Sequence, residues 1–302
     1  MARPSDAVAR PRALVTGLGG FTGRYVAAEL REAGFDVVGL GHADAGDADT
    51  HGVDLLDRDA VRAFVSTQRF DAVVHLAAIS FVAHGDADAI YRVNIVGTRN
   101  LLEALAAAPH APRVVVLASS ANTYGNATVE PITEATPPAP ANDYAVSKLA
   151  MERMAALWSD RLPIVFTRPF NYTGVGQSLN FLVPKIVDHF RRGAREIELG
   201  NTDVVRDFSD VRDVARMYRA LVEQAPVGGT FNLCSGTGHS LDDILSIVGD
   251  LAGYRIAVKV NPAFVRGNEV KRLVGSPDAI RRIVPGFAPR PFSHTLEWML
   301  RA

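Results

Sequence analysis

Tyr144 and Lys148 stand four residues apart in the run YAVSKLAMERMAALW. On a helix that spacing brings both side chains to one face, one turn from each other. A tyrosine hydroxyl ordinarily has a pKa of about 10 and exchanges protons poorly at neutral pH; an adjacent ammonium favours its phenolate and tunes it for acid-base work. With seven tyrosines and four lysines in 302 residues, chance seldom produces the pair. A second group of residues, Thr16-Gly17-Leu18-Gly19-Gly20-Phe21-Thr22-Gly23, reads T-G-x-x-G-x-x-G. Gly17, Gly20 and Gly23 supply what a dinucleotide turn needs: a positive φ, a close approach of pyrophosphate to backbone, and tight packing of helix on strand, with free N–H groups at the helix start for the phosphates. Ser119 and Ser120 close the apolar run RVVVLAS, and a hydroxyl at a strand end can bind a substrate oxygen.

Elements able to position these residues recur along the chain. Apolar runs at 13–16, 37–40, 71–77, 113–119 and 162–167 alternate with helical patterns at 21–33, 57–68, 87–108, and from Asn142 or Asp143 as cap through 144–158. This rhythm predicts a doubly wound α/β fold with a parallel sheet of at least four strands. The Pro-rich stretch 131–140 reads as a surface loop. After Arg168 the rhythm degrades, with one helix near 183–192 and another at 241–251. The expected division is a dinucleotide-binding part, 1–168 plus about 207–240, and a smaller α/β substrate-binding cap, 169–206 and 241–302.

Composition narrows the function. A net charge of −1 offers no field for a nucleic-acid partner, and no run of about 18 apolar residues predicts a membrane span. Cys234 is the single cysteine, and no metal-ligand spacing of Cys and His occurs; a reducing cytoplasm is expected. The cofactor is left open. Where an acidic residue would bind the adenosine ribose and favour NAD, the chain has Gly41, so NADP is acceptable. Asp44, Asp47 and Asp49 nevertheless follow, and only Arg24 and His42 are near enough in sequence to meet a 2′-phosphate. NAD and NADP stand about evenly, with a lean to NADPH or dual use.

TGLGGFTG, HLAA at 75–78, SSANTYG at 119–125, Tyr144-x-x-x-Lys148 and RPFN at 168–171 together resemble the extended short-chain dehydrogenase/reductases that act on nucleotide sugars, over nearly the whole chain. The resemblance implies a Rossmann-type fold with Ser120 and Tyr144 in proton transfer and Lys148 on the nicotinamide ribose. It implies cofactor contacts at Gly17, Gly20, Phe21, Gly23, His42, Asp54, Leu55, Leu76, Ala77 and Ala78, with Tyr144 and Lys148. Substrate contacts are implied at Ser80, Ser120, Asn122, Asn171, Phe181 and Val183. The segments Arg206-Asp207-Phe208 and Arg266-x-x-Glu269-Val270 are similar to those that hold GDP-sugars in this family. Arg206 and Arg266 would take the diphosphate, whose oxygens suit a planar guanidinium fork, and Glu269 the ribose. The resemblance also implies a homodimer joined through the helices at 87–108 and 144–158.

One departure from the family's dehydratases is informative. They carry acids just after the catalytic Ser/Thr, where this chain has Ala121 and Asn122. Elimination of water thus lacks its acid catalyst. Three readings follow: a reductase of the 4-keto group of a GDP-4-keto-6-deoxy sugar, hexose or heptose, serving surface polysaccharide synthesis; an epimerase with tightly held NAD; or a cofactor-sensing regulator. The resemblance is closest to the reductases, and retention of the Tyr/Lys pair counts against the regulator.

Overall fold

A computed structural model describes residues 10–41, 49–80, 86–264, 270–284 and 286–302. The first half alternates β1 (Arg12–Thr16), α1 (Phe21–Glu32), β2 (Asp36–Gly41), β3 (Thr50–Gly52), α2 (Arg58–Ser66) and β4 (Ala72–His75). Then come α3 (Ala87–Tyr91), a wider π turn at Arg92–Gly97, α4 (Thr98–Ala107), β5 (Val114–Ala118), a 3-10 turn at Ala121–Tyr124 and α5 (Asp143–Ala156). Beyond these lie β6 (Ile164–Pro169), β7 (Asn171–Thr173), α6 (Leu182–Arg191), β8 (Glu196–Leu199), β9 (Val205–Asp210), α7 (Val211–Gln224) and β10 (Thr230–Leu233). The chain ends with β11 (Gly238–Ser240), α8 (Leu241–Ala252), β12 (Ala257–Val260), β13 (Arg272–Leu273), α9 (Asp278–Ile283) and α10 (Phe292–Arg301).

Seven parallel strands in the order β10-β6-β5-β4-β1-β2-β3 form the central sheet of a Rossmann-like α/β fold. Its strands are apolar on both sides because helices cover both faces. Alternation along β1 shows this: Ala13 and Val15 enter the core beneath α1 and α7, while Leu14 enters the one beneath α2, α4 and α5. The order reverses between β1 and β4, so a crevice opens at their carboxyl ends. The turn after β1 and the end of β5 both lie on that rim.

A second, four-stranded group pairs β9 with β7, β11 and β13, and β8 pairs with β12. These strands pack with α6, α8 and α10 around Val183, Ile186, Phe190, Phe208, Ile244 and Leu296. The boundary between the two parts is not a single point in sequence. α9, inside the stretch assigned from sequence to the cap, buries Ile280 in the core of the central sheet. The Pro-rich loop is likewise less superficial than expected: Ile132 is buried and exchanges backbone hydrogen bonds with Val274 and Ser276. No described helix is long and apolar enough to cross a membrane, and no described group of His, Cys, Asp or Glu could hold a metal ion.

Candidate active site

The turn from β1 into α1 is built for close approach. Gly17 has φ +70°, and a Cβ there would stand 3.0 Å from the Ala77 backbone; one on Gly23 would come within 2.2 Å of Gly17 O. α1 begins at Gly20 with no side-chain cap and no acidic residue in its first turn, so its first N–H groups face the crevice uncompensated. Beside this turn a cavity of about 350 Å³ runs across the sheet edge. It is lined by Gly17, Gly20, Phe21 and Gly23, by Leu76, Ala77, Ala78 and Ser80 after β4, by Ser119, Ser120 and Asn122 after β5, and by Tyr144 and Lys148 of α5. Asn171 and Phe181 close its other side.

Tyr144 and Lys148 reach the cavity because Asn142 caps α5, its side chain accepting from Ala145 N at 2.9 Å, and this sets the helix phase. Burial raises the Tyr144 pKa, and hydrogen bonding to Ser120 opposes it. The phenol therefore keeps its proton at neutral pH. Lys148 is buried, its Nζ donates to Ala118 O at 2.8 Å, and burial pulls it down to about 8 against the charge of Glu152. In this arrangement the ammonium is directed at the end of β5, and Ser120, not Lys148, is the group that lowers the phenol. Ser120 Oγ also accepts from Asn122 N at 3.2 Å, while the buried Ser119 Oγ has no partner. A bare glycine cradle, open helix N–H groups and an orphaned hydroxyl on one cavity fit a bound dinucleotide.

His75 does not present its ring to the cavity. Thr98 Oγ1 donates to Asn94 O at 2.7 Å and so accepts from His75 Nε2 at 2.9 Å, while Thr16 Oγ1 accepts from Ala77 N and donates to His75 Nδ1 at 2.7 Å. The ring is held neutral, its pKa lowered to about 3 by burial and by Lys148.

Other expected residues are placed differently. Asp54 caps a local turn by accepting from Leu56 N at 2.9 Å, and Leu55 is packed in the core with its carbonyl accepting from Asn100. Neither lines the cavity. Val183 points into the core with Ile186, Val187 and Phe190, because that stripe is the buried face of α6. Arg206 Nη1 donates to the carbonyls of Val205 and Lys271, outside the cavity lining, and Asp207 is fully buried, accepting from Ser235 and Gly236. His42, Arg266 and Glu269 lie outside the described residues.

Residues that sequence reading missed complete the wall. Tyr172 stacks on Phe21 with ring centroids 6.1 Å apart and hydrogen-bonds Thr22 Oγ1 at 2.7 Å. Its place beside Asn171 in the RPFN run was the available signal. Gln177, Ser178 and Tyr218 also line the cavity, and nothing in their local sequence marks them.

A family model, the NAD dependent epimerase/dehydratase family, matches residues 13–234. The chain belongs to this family. It is an NAD(P)-dependent oxidoreductase of the extended short-chain type. GDP-6-deoxy-D-talose 4-dehydrogenase of Aggregatibacter actinomycetemcomitans is 33% identical over 90% of both chains. GDP-6-deoxy-D-mannose reductase of Pseudomonas aeruginosa is 33% identical over 88% of both. Among solved structures, a candidate epimerase from Burkholderia cenocepacia J2315 is 53% identical, with a TM-score of 0.90 over 97% of this chain and 98% of that one. RMD from P. aeruginosa, solved with NADPH, is 31% identical, with a TM-score of 0.85 over 96% and 98%.

The family is NAD(P)-dependent, and the cofactor is NAD or NADP. At Gly41 a Cβ would find nothing nearer than Gly17 N at 3.9 Å, so space alone does not exclude a carboxylate there. Without that charge, NADPH is expected to bind at least as tightly as NADH at matched salt. Titration by nicotinamide fluorescence checks this; a hundredfold preference for NADH, about 2.7 kcal/mol, would show that another group restores the discrimination.

Proposed function

We propose that the enzyme reduces the 4-keto group of a GDP-4-keto-6-deoxy sugar, hexose or heptose, to a GDP-6-deoxy sugar. The observation that carries this reading is the cavity's donor set: a protonated phenol, a lysine and serine hydroxyls, with no carboxylate among the described lining residues. Such a set can protonate a developing alkoxide but has no acid for expelling a hydroxyl group. The two curated relatives, named for oxidation or reduction of GDP-6-deoxyhexoses, support the same chemistry.

A bound nicotinamide supplies the hydride. Within the chain, Tyr144 gives its proton to the sugar oxygen, Ser120 hydrogen-bonds and orients that oxygen, and Lys148 holds the nicotinamide ribose. Gly17, Gly20, Phe21 and Gly23 seat the pyrophosphate, and Leu76, Ala77 and Ala78 lie along the cofactor. Ser80, Asn122, Asn171 and Phe181 meet the sugar nucleotide. Arg266 and Glu269 are assigned to its diphosphate and ribose, and His42 to the adenosine end. The proposed division of labour places the cofactor on 1–168 with 207–240 and the substrate on 169–206 with 241–302. A homodimer through α3–α4 and α5 belongs to this proposal; Val96, Val146 and Leu157 are its exposed apolar residues.

The test is a label. With a GDP-4-keto-6-deoxy sugar and deuterated reduced cofactor, one nicotinamide is expected to be oxidised per sugar and the deuterium to appear at C4. The 53%-identical candidate epimerase makes epimerisation the second reading. If the cofactor returns unchanged while a sugar centre inverts, that reading replaces the first.

A further inference from the structure

The start of α1 is fastened to the segment after β6 by contacts that the reaction described above does not use. Phe21 and Tyr172 stack with their ring planes 10° apart, and Thr22 Oγ1 lies 2.7 Å from the Tyr172 hydroxyl. One turn on, the Tyr25 hydroxyl donates to Val175 O at 2.8 Å and Arg24 Nη2 to Gly176 O at 3.4 Å. Gln177 braces the segment from within, its Nε2 donating to Tyr172 O at 3.2 Å and its Oε1 accepting from Thr173 Oγ1 at 2.7 Å. Tyr172 is thus held by its ring, its hydroxyl and its carbonyl.

The Thr22–Tyr172 hydroxyl pair is not saturated. Two hydroxyls carry two protons, and the bond between them uses one. Neither hydroxyl has another hydrogen bond among the described residues, and both residues line the cavity. Burial raises the Tyr172 pKa, so the phenol holds its proton at neutral pH. A group that only accepts hydrogen bonds would complete the pair, and phosphate oxygens are of that kind. Thr22 is the second residue of α1, whose first turn carries no acidic side chain to repel such an anion. Tyr172 comes from the β6 side of β1, the side on which β5 receives Lys148, whereas β2 and β3 lie on the other. It therefore meets α1 from the nicotinamide half of the crevice.

We propose that the Thr22–Tyr172 pair is a further cofactor contact, with the Tyr172 hydroxyl donating to the phosphate on the nicotinamide side of the bound dinucleotide. The phenol is the more acidic of the two hydroxyls, so its proton goes to the anion while Thr22 donates to the phenol oxygen. That phosphate is then held from two parts of the chain: the open N–H groups of α1 and a side chain of the segment that also carries Asn171. The inference rests on the seating of the pyrophosphate at the glycine turn, not on the identity of the sugar.

Calorimetry with ADP-ribose, which has both phosphates, and with AMP, which has only the adenosine-side one, tests this without turnover. Tyr172→Phe keeps the stacked ring and removes only the hydroxyl. Its affinity for ADP-ribose should fall about tenfold, the order expected for a hydrogen bond to a charged group, while its affinity for AMP stays the same. Thr22→Val breaks the same bond but leaves the phenol its proton, so it should weaken ADP-ribose less than Tyr172→Phe does. If the pair only ties α1 to the segment after β6, the two substitutions have equal effects, on AMP as on ADP-ribose, or none; either result overturns the proposal. A native enzyme that binds ADP-ribose no more tightly than AMP overturns instead the seating of the pyrophosphate, and with it the pair's part in binding.

Discussion

Tyr144→Phe is expected to lower turnover by about 10²–10⁴ while cofactor affinity changes little. The hydroxyl is the only atom lost, and the ring keeps its contacts in the cavity wall. In the native enzyme the buried phenol retains its proton at neutral pH, which suits it to act as an acid towards a keto oxygen. With Phe the nearest hydroxyl is Ser120, whose ordinary proton affinity makes it a far weaker donor; it can hydrogen-bond the alkoxide but cannot neutralise it as readily. The loss should therefore fall on kcat, with KM little changed, since the interaction is made chiefly in the transition state. Steady-state kinetics with the 4-keto substrate, alongside NADPH titration of the variant, check both halves. Undiminished kcat would remove Tyr144 from the mechanism.

Acid should unfold the protein through His75. The ring is neutral in the fold, with its pKa lowered from 6.5 to about 3, so below pH 6.5 the unfolded chain binds a proton that the native state refuses. Stability is thus intact above about pH 6.5 and falls as the pH drops towards 3. The slope approaches about 1.4 kcal/mol per pH unit, and the full loss is on the order of 4–5 kcal/mol. The cause is specific: Thr16 already donates to Nδ1, so a second ring N–H would face a donor in a site without water access. Between pH 6.5 and 5, above most carboxylate titrations, urea unfolding should show this slope in the native protein. His75→Gln, which can still bridge Thr16 and Thr98, should flatten it. The same slope in that variant would assign the acid sensitivity elsewhere, His239 being, among the described residues, the other histidine whose pKa burial lowers.

What was legible in the sequence was local. The glycine turn and the Tyr144–Lys148 spacing are written within eight and five residues, and apolar runs long enough to be central strands announce β1, β2, β4, β5 and β6. β3 and β10 escaped because THG and TFNL are short and partly polar, and become strands only by pairing with β2 and β6. The helix expected over 87–108 is interrupted by the wide turn at Arg92–Gly97, where Asn94 turns inward to hold Ile79 and Ser147. Val183 matches a contact position of the family by motif, whereas its phase on α6 puts it in the core. The Thr22–Tyr172 pair joins residues on different elements, and no spacing rule reveals that a hydroxyl 150 residues away will be its partner.

The strand order also bears on synthesis. β6 (IVFTRP) is an inner strand in the finished sheet, but its outer neighbour β10 lies beyond β7, β8, β9 and α7 in the chain. As the polypeptide leaves the ribosome, β6 must wait as an open edge for more than sixty residues, presenting unpaired backbone and apolar side chains to other nascent chains. Aggregation during expression should thus track how soon residues 230–233 emerge, and chains that stop before them should accumulate as insoluble protein.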